Sequence, residues 1–237
     1  MLSIIIISKD EEKTLPRLLK SIKKQKFKDY EIIVSDAKSK DKTQSIAKKY
    51  GCKIVEGGFP SKGRNNGAKV AGGDIFLFLD ADTKLTKNFL KENLKEFFEK
   101  NLVVASPIPI PISKKIIDKV LSWVYIKYML TVQYFSPNGT GFCIFCKQEV
   151  FKKIKGFDEK LRLSEDHDFI KRCSKYGKFR ILRSRTILFD VRRFEREGRF
   201  HLLLKYLIMG FSELFGIRRY NSLFDYEMQG INMKNQK

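Results

Sequence analysis

Asp74-Ile75-Phe76-Leu77-Phe78-Leu79-Asp80-Ala81-Asp82 is the stretch that decides the fold of this chain. Five consecutive apolar residues, aromatic and branched, lie between Gly72-Gly73 and two carboxylates one residue apart. A run that short and apolar predicts a strand buried on both faces. Strands of that kind belong to open α/β sheets, which bind ligands at their carboxyl-terminal edge. Asp80 and Asp82 lie two positions apart on an extended backbone, so both can reach one cation. An oxygen-only pair suits Mg²⁺ or Mn²⁺ held partly by substrate phosphates. The same pair could equally open a turn and cap the helix expected near Thr86.

Upstream, Ser3-Ile4-Ile5-Ile6-Ile7 reads as a second central strand. It ends in Ser8-Lys9-Asp10-Glu11-Glu12, after which Leu15, Leu18, Leu19 and Ile22 recur at helical spacing, with Pro16 in the first turn. Tyr30 to Ser35 is another strand, followed by Asp36. Asp41-x-x-Gln44 has the form of a capping box for a helix that stops at Gly51. Cys52 to Glu56 is a third strand, followed by the glycine-rich Gly57-Gly58 and Gly63-Arg64-Asn65-Asn66-Gly67. A helix then leads to the Asp74–Asp82 strand. This alternation predicts an α/β fold, a mostly parallel sheet flanked by helices.

Downstream, a helix over about 87–100 leads to Leu102-Val103-Val104-Ala105, and Pro107, Pro109 and Pro111 then impose a stiff, extended segment. Val120 to Phe135 is a long apolar helix carrying Trp123, Tyr125, Tyr128 and Tyr134. The loop Ser136 to Gly141 precedes a strand at Phe142 to Cys146. Ser164-Glu165-Asp166-His167-Asp168 opens another helix, Arg192-Arg193 follows, and a last helix is expected over about 200–215.

The 237 residues, 43% hydrophobic, suffice for one substantial core. The net charge of +21 favours phosphate-rich partners such as nucleotides, nucleic acid or an anionic membrane surface. The basic residues are dispersed and match no RNA- or DNA-binding pattern, so nucleic acid is not the expected partner. A sugar nucleotidyltransferase would show a glycine-rich loop directly after the first strand, and Ser8-Lys9-Asp10-Glu11 is not one. G-x-G-x-x-G is also absent, against a dinucleotide oxidoreductase. Cys143 and Cys146 have half-site zinc spacing, but Cys52, Cys173, His167 and His201 are scattered, and no structural zinc is expected. The amino terminus lacks the basic and long apolar segments of a signal peptide, so a cytoplasmic protein is expected.

Taken in order, five segments resemble the family 2 glycosyltransferases of GT-A fold: the first strand with Asp10-Glu11-Glu12; Glu31 to Asp36 with Ser39, Asp41 and Thr43; Gly63 to Gly67; Phe78 to Asp82; and Gly156-Phe157-Asp158-Glu159 with Glu165-Asp166. The resemblance spans about residues 2–180. It implies a metal-dependent, inverting transfer of one sugar from a UDP- or GDP-sugar to the hydroxyl or phosphate of a glycan or polyprenyl-lipid acceptor. Asp36, Arg64, Asp80 and Glu11 would contact the nucleotide sugar, and Asp82 with Asp80 would hold Mn²⁺ or Mg²⁺. Asp166 would be the general base with Glu165 as its alternative, and Arg192 and Arg193 are candidate phosphate contacts. The implied catalytic domain runs over 1–195, with a nucleotide-sugar half at about 1–106 and an acceptor half at about 107–195.

The chain departs from that family in places. Asp36 is followed by Ala37 where the family often pairs acids, and Phe189-Asp190 stand where a histidine often adds a metal ligand. No Gln-x-x-Arg-Trp occurs, which favours single-sugar transfer over processive synthesis. Residues 196–237 form a helix and tail. The apolar Leu202 to Phe211, flanked by Arg199 and Arg218-Arg219, together with Val120 to Phe135, suits peripheral association with the cytoplasmic face of an anionic membrane.

Overall fold

A computed structural model of the chain describes residues 1–161 and 164–199. Its first half is the expected alternation: β1 (Leu2–Ser8), α1 (Leu15–Lys23), β2 (Tyr30–Asp36), α2 (Thr43–Lys49), β3 (Lys53–Glu56), α3 (Pro60–Lys69) and β4 (Ile75–Asp80). Then come β5 (Thr83–Leu85), α4 (Phe89–Glu99), β6 (Leu102–Ile112), α5 (Ile116–Val132), β7 (Cys143–Lys147) and α6 (Gln148–Lys153). The described part ends with α7 (Glu165–Cys173), a 3₁₀ turn at Ser174–Tyr176, β8 (Lys178–Asp190) and α8 (Arg192–Glu197). The last helix expected from the sequence, with Leu202 to Phe211, lies outside the described residues.

The eight strands of the described residues join one sheet, in the order β3-β2-β1-β4-β7-β6-β8-β5. β1 runs parallel to β2 and β4, and β2 parallel to β3. β7 enters antiparallel between β4 and β6, β8 runs parallel to β6, and β5 pairs antiparallel with β8. The sheet is therefore parallel over β3-β2-β1-β4 and mixed beyond β4.

The pleat sends alternate side chains to opposite faces. Ile4, Ile6, Leu77 and Leu79 pack against α1 and α4 through Leu15, Leu18 and Phe89 on one face. Ile5, Phe76 and Phe78 meet Ala68, Val150, Phe157 and Phe169 on the other. Burying a side chain of this size stabilises by roughly 1.5–3 kcal/mol before entropy is counted. Two filled faces explain why β1 and β4 read as unbroken apolar runs.

The glycine-rich Gly63 to Gly67 forms the body of α3. A Cβ on Gly67 would run into Ile5, and one on Gly63 would lie 3.0 Å from Ile7. The helix can therefore lie close against β1, which carries Arg64 and Asn65 to the sheet's edge.

Three expectations need correction. Gln44 does not close a capping box: its amide donates to Asp36 Oδ1 at 2.7 Å, while Asp41 Oδ1 accepts from the Thr43 amide at 2.9 Å. Pro107, Pro109 and Pro111 lie inside β6. β7 pairs with β6 at Val104 and Ala105, so the proline stretch lies beyond that ladder and continues beside β8 alone. The long apolar helix starts at Ile116, earlier than Val120, and stops at Val132. Cys143 and Cys146 pack into opposite core faces, and Cys146 Sγ instead meets Cys173 Sγ at 3.8 Å.

Candidate active site

Asp80 ends β4, and a tight turn carries Asp82 before the chain reverses into β5. Thr83 Oγ1 donates to the Asp80 carbonyl at 2.8 Å, and Arg17 Nη2 donates to the Asp82 carbonyl at 2.8 Å. Pairing of Thr83 with Phe189 fixes the turn from the far side. Both carboxylates keep 35% of their side-chain surface open, with protein packed behind them.

Asp82 stands in a concentration of negative charge. Burial pushes its carboxyl up to about 7, assisted by Asp80 and Glu11 and opposed by Arg192. Arg192 Nη2 lies 2.9 Å from Glu11 Oε2 and 4.0 Å from Asp82 Oδ2, and its Nε lies 3.5 Å from Asp190 Oδ1. Arg17 adds an ion pair to Asp190 at 3.0 Å. The guanidinium of Arg192 thus occupies the middle of Glu11, Asp82 and Asp190. Arg193 follows it in α8, with a side chain outside what the structure describes.

A divalent cation fits this chemistry. The donors are carboxylate oxygens, the hard ligands that Mg²⁺ and Mn²⁺ take, and the group carries more negative charge than its arginines neutralise. Among the described residues no three His, Cys, Asp or Glu side chains converge tightly enough to hold an ion unaided.

Arg64 forms the second node. Its side chain is 3% exposed, and it pairs with Asp80 at 3.2 Å and Glu165 at 2.8 Å. Nη2 also donates to the Gly141 carbonyl at 3.1 Å, and the guanidinium lies 5.2 Å from the Phe157 ring centroid. Burial works against its charge, but Asp80, Glu165 and Asp166 outweigh burial and hold it protonated. Neighbouring Asn65 exchanges hydrogen bonds with the Phe157 backbone, Nδ2 to the carbonyl and the amide to Oδ1, each 2.9 Å. Two motifs about ninety residues apart are thereby locked together.

Glu165 and Asp166 open α7 as expected. Burial pushes the Glu165 carboxyl up, the charge of Asp166 adds to this, and Arg64 opposes both. Held by Arg64, Glu165 is a partner of the buried cation. Asp166 is only 18% exposed, 4.0 Å from His167 Nε2, and packs directly over Gly141, where a Cβ would run into its carboxylate. Asp168 turns away to bind Arg172 at 2.7 Å, and Arg172 holds the carbonyls of Ile154 and Gly156.

The remaining sequence candidates frame the other side. Asp36 is 2% exposed, and its oxygens accept from Ser8 Oγ, Ser39 and Gln44. Asp10, Glu11 and Glu12 donate their amides to Ser39 Oγ, Thr43 Oγ1 and Asp41 Oδ2, latching the first loop to the loop after β2. The structure thus brings Glu11, Asp80, Asp82 and Arg192 into one group. Arg64, Asp80, Glu165 and Asp166 form a second that shares Asp80. Asp36 and Arg64, taken from sequence as nucleotide contacts, are both buried and bonded to protein. Sequence reasoning missed Arg17 and Gly141. Arg17 reads as one basic residue among 48 Lys and Arg, and Gly141 as an ordinary loop glycine.

Known proteins share this arrangement of the sheet. Staphylococcus aureus TarS 1-349, solved in complex with UDP-GlcNAc, superimposes with a TM-score of 0.65 at 22% identity, covering 80% of this chain and 58% of that one. A Pyrobaculum calidifontis mannosyltransferase in complex with GDP-Man and Mn2+ gives 0.65 at 17% identity, covering 79% of this chain and 56% of that one. In sequence, a Campylobacter jejuni GalNAc(5)-diNAcBac-PP-undecaprenol beta-1,3-glucosyltransferase is 36% identical over 98 residues, 38% of this chain and 32% of that protein. The chain therefore spans about a third of that relative's length. The sequence profile described as Glycosyl transferase family 2 matches residues 3–155, and on that match, over more than half its length, the chain belongs to the family 2 glycosyltransferases.

Proposed function

We propose that the chain transfers a single sugar, with inversion, from a UDP- or GDP-sugar to an acceptor hydroxyl or phosphate. One observation carries the reading. Two carboxylate groups stand at one sheet edge, Asp82 with Glu11 on one side and Asp166 on the other, joined through Asp80 and the buried Arg64. Inverting transfer needs a base on one face of the anomeric carbon and charge stabilisation for the leaving diphosphate on the other.

Asp166 is the base. It takes the proton from an acceptor hydroxyl as that oxygen bonds to the anomeric carbon, while the bond to the diphosphate oxygen breaks and its electron pair leaves with the phosphate. A phosphate acceptor is already ionised and needs only to be oriented. Asp82, with Asp80, would hold Mn²⁺ or Mg²⁺, which supplies positive charge to the departing diphosphate. Arg192, and Arg193 beside it, supply further positive charge there. Glu11 and the latched loops at Asp36 and Ser39 shape the nucleotide side. The Campylobacter relative is named for an undecaprenol-linked substrate, and a lipid-linked acceptor here would place the protein at the cytoplasmic face of a membrane.

Donor binding and turnover test the assignment together. Asp166→Asn should lower turnover by roughly a hundredfold or more, the scale of lost general-base catalysis, with donor affinity unchanged. Asp82→Ala should abolish Mn²⁺-dependent donor binding in a calorimeter while the protein stays folded. Full turnover in the first variant, or unaltered Mn²⁺-dependent affinity in the second, would overturn the corresponding role.

A further inference from the structure

α5 is far more exposed than its composition suits. Of its 17 residues only Asp118 and Met129 are buried. Ile116 is 77% exposed and Trp123 60%, with Val120 and Val124 about half open, and beyond the helix Tyr134 and Phe135 continue the surface, the latter 88% exposed. A contiguous apolar surface of this kind marks a contact site.

The exposed charges of the helix and its amino-terminal flank are lysines, of which Lys115 meets the exposed Glu195 of α8 at 3.5 Å. Lys114, Lys115, Lys119 and Lys127 are exposed, and the Lys127 ammonium lies 5.5 Å from the Trp123 ring centroid. The one acid of the helix, Asp118, is buried and held by Arg199 through two bonds of 2.6 and 3.2 Å. Among the described residues no helix is long and apolar enough to cross a membrane, and at 1.5 Å per residue α5 is about 25 Å long with lysines inside it. Apolar and aromatic residues with interspersed lysines are the composition of a helix lying in the lipid interface.

We infer that α5, with Tyr134 and Phe135, is a docking surface for a bilayer containing anionic lipid, lying along the headgroup plane. Electrostatic complementarity favours this occupant over the others available. A second copy would bring the same lysines against these. The chain beyond residue 199 carries Lys205, Arg218, Arg219, Lys234 and Lys237 against Glu213, Asp225 and Glu227, so it offers no net acidic complement. Lipid phosphates do. α5 leads into the loop whose Gly141 supports Asp166 and Arg64, so lipid on this surface adjoins the loop that frames the base. The inference deepens the lipid-linked acceptor reading by naming the surface that meets lipid.

Trp123 is the chain's only tryptophan, so its fluorescence reports on this surface alone. The full chain is mixed with vesicles of phosphatidylcholine, with or without phosphatidylglycerol. With the anionic vesicles at low salt, Trp123 emission should shift to the blue, be quenched by lipid brominated near the headgroup, and the protein should float. The effect should weaken at high salt, where charge attraction is screened. A Val120→Ser/Phe135→Ser variant, altered at two exposed positions, should partition tenfold or more weakly with an unchanged melting curve. Donor hydrolysis without lipid is followed in parallel: its loss sinks the transferase reading, while flotation and emission decide docking. Unchanged emission with anionic vesicles overturns the inference. So does emission already blue and shielded from acrylamide in lipid-free buffer, which would mean cover by the chain itself, or by a second copy if concentration-dependent.

Discussion

Replacing Arg64 by Met tests the buried node most directly. The side chain is nearly inaccessible, and its loss would leave Asp80 and Glu165 without their shared cation. Breaking a buried ion pair by removing one partner costs about 3–5 kcal/mol, because the remaining charge stays desolvated. For a domain of this size that corresponds to a fall in Tm of about 6–20 °C. The penalty should depend on pH. Burial already raises both carboxyls above their ordinary values, and Arg64 opposes that rise in each. Without the arginine both folded-state pKa values climb further above the unfolded ones, so the folded variant binds more protons than the unfolded chain. Its stability is then fully retained only below the unfolded values and is lost as pH rises through the raised ones, by up to about 1.4 kcal/mol per pH unit for each carboxyl. Thermal unfolding of the wild type and Arg64→Met at pH 5 and pH 8 gives the comparison. The gap between them should be wide at pH 8 and narrow at pH 5. A gap under 1 kcal/mol at pH 8, or one that does not change with pH, would refute the view of Arg64 as a buried counter-ion.

Other consequences follow from the same geometry. Divalent metal binds the ionised carboxylate, and burial pushes the Asp82 carboxyl up to about 7. Mn²⁺-dependent donor affinity measured by calorimetry should therefore weaken as pH falls from 8 to 6, approaching tenfold per unit below 7. Gly141→Ala would push a methyl into the Asp166 carboxylate; turnover should fall at least tenfold with donor affinity nearly unchanged, a split readable from single-turnover rates and calorimetry. Arg192→Gln removes the cation between Glu11 and Asp82, so in the absence of donor the variant should bind Mn²⁺ more tightly than wild type by electron paramagnetic resonance, and equal affinity would count against competition between the two cations.

β1 and β4 were legible because they are buried on both faces and leave unbroken apolar runs at Ile4 and Ile75. The acidic turn at Asp80 and Asp82 was legible for the same reason, since it ends such a run. β8 was not. Arg180, Arg183, Ser184 and Arg185 interrupt its apolar pattern, and that interruption is stabilised from another element. Glu96 of α4 accepts from the amides of Arg183 and Ser184, and Asn93 exchanges bonds with Arg185. No local pattern announces two side chains about ninety residues away acting as a strand's hydrogen-bond partners. Arg64 was legible as important but not in its direction, because its surroundings come from α3, β4, the Gly141 loop and α7 at once.

The pairing of β5 with β8 sets an order in time. Thr83 to Leu85 hydrogen-bond to Ile187 to Phe189, about a hundred residues further along. At the usual pace of synthesis, a nascent chain would carry its acidic turn for roughly 5–20 s before the strand that fixes it leaves the ribosome. Arg192, which lies 4.0 Å from Asp82 Oδ2, arrives later still. An interrupted chain that stops short of residue 190 would therefore have the sequence Asp80-Ala81-Asp82 without the geometry, and should be unable to take up a nucleotide sugar while it is still being made.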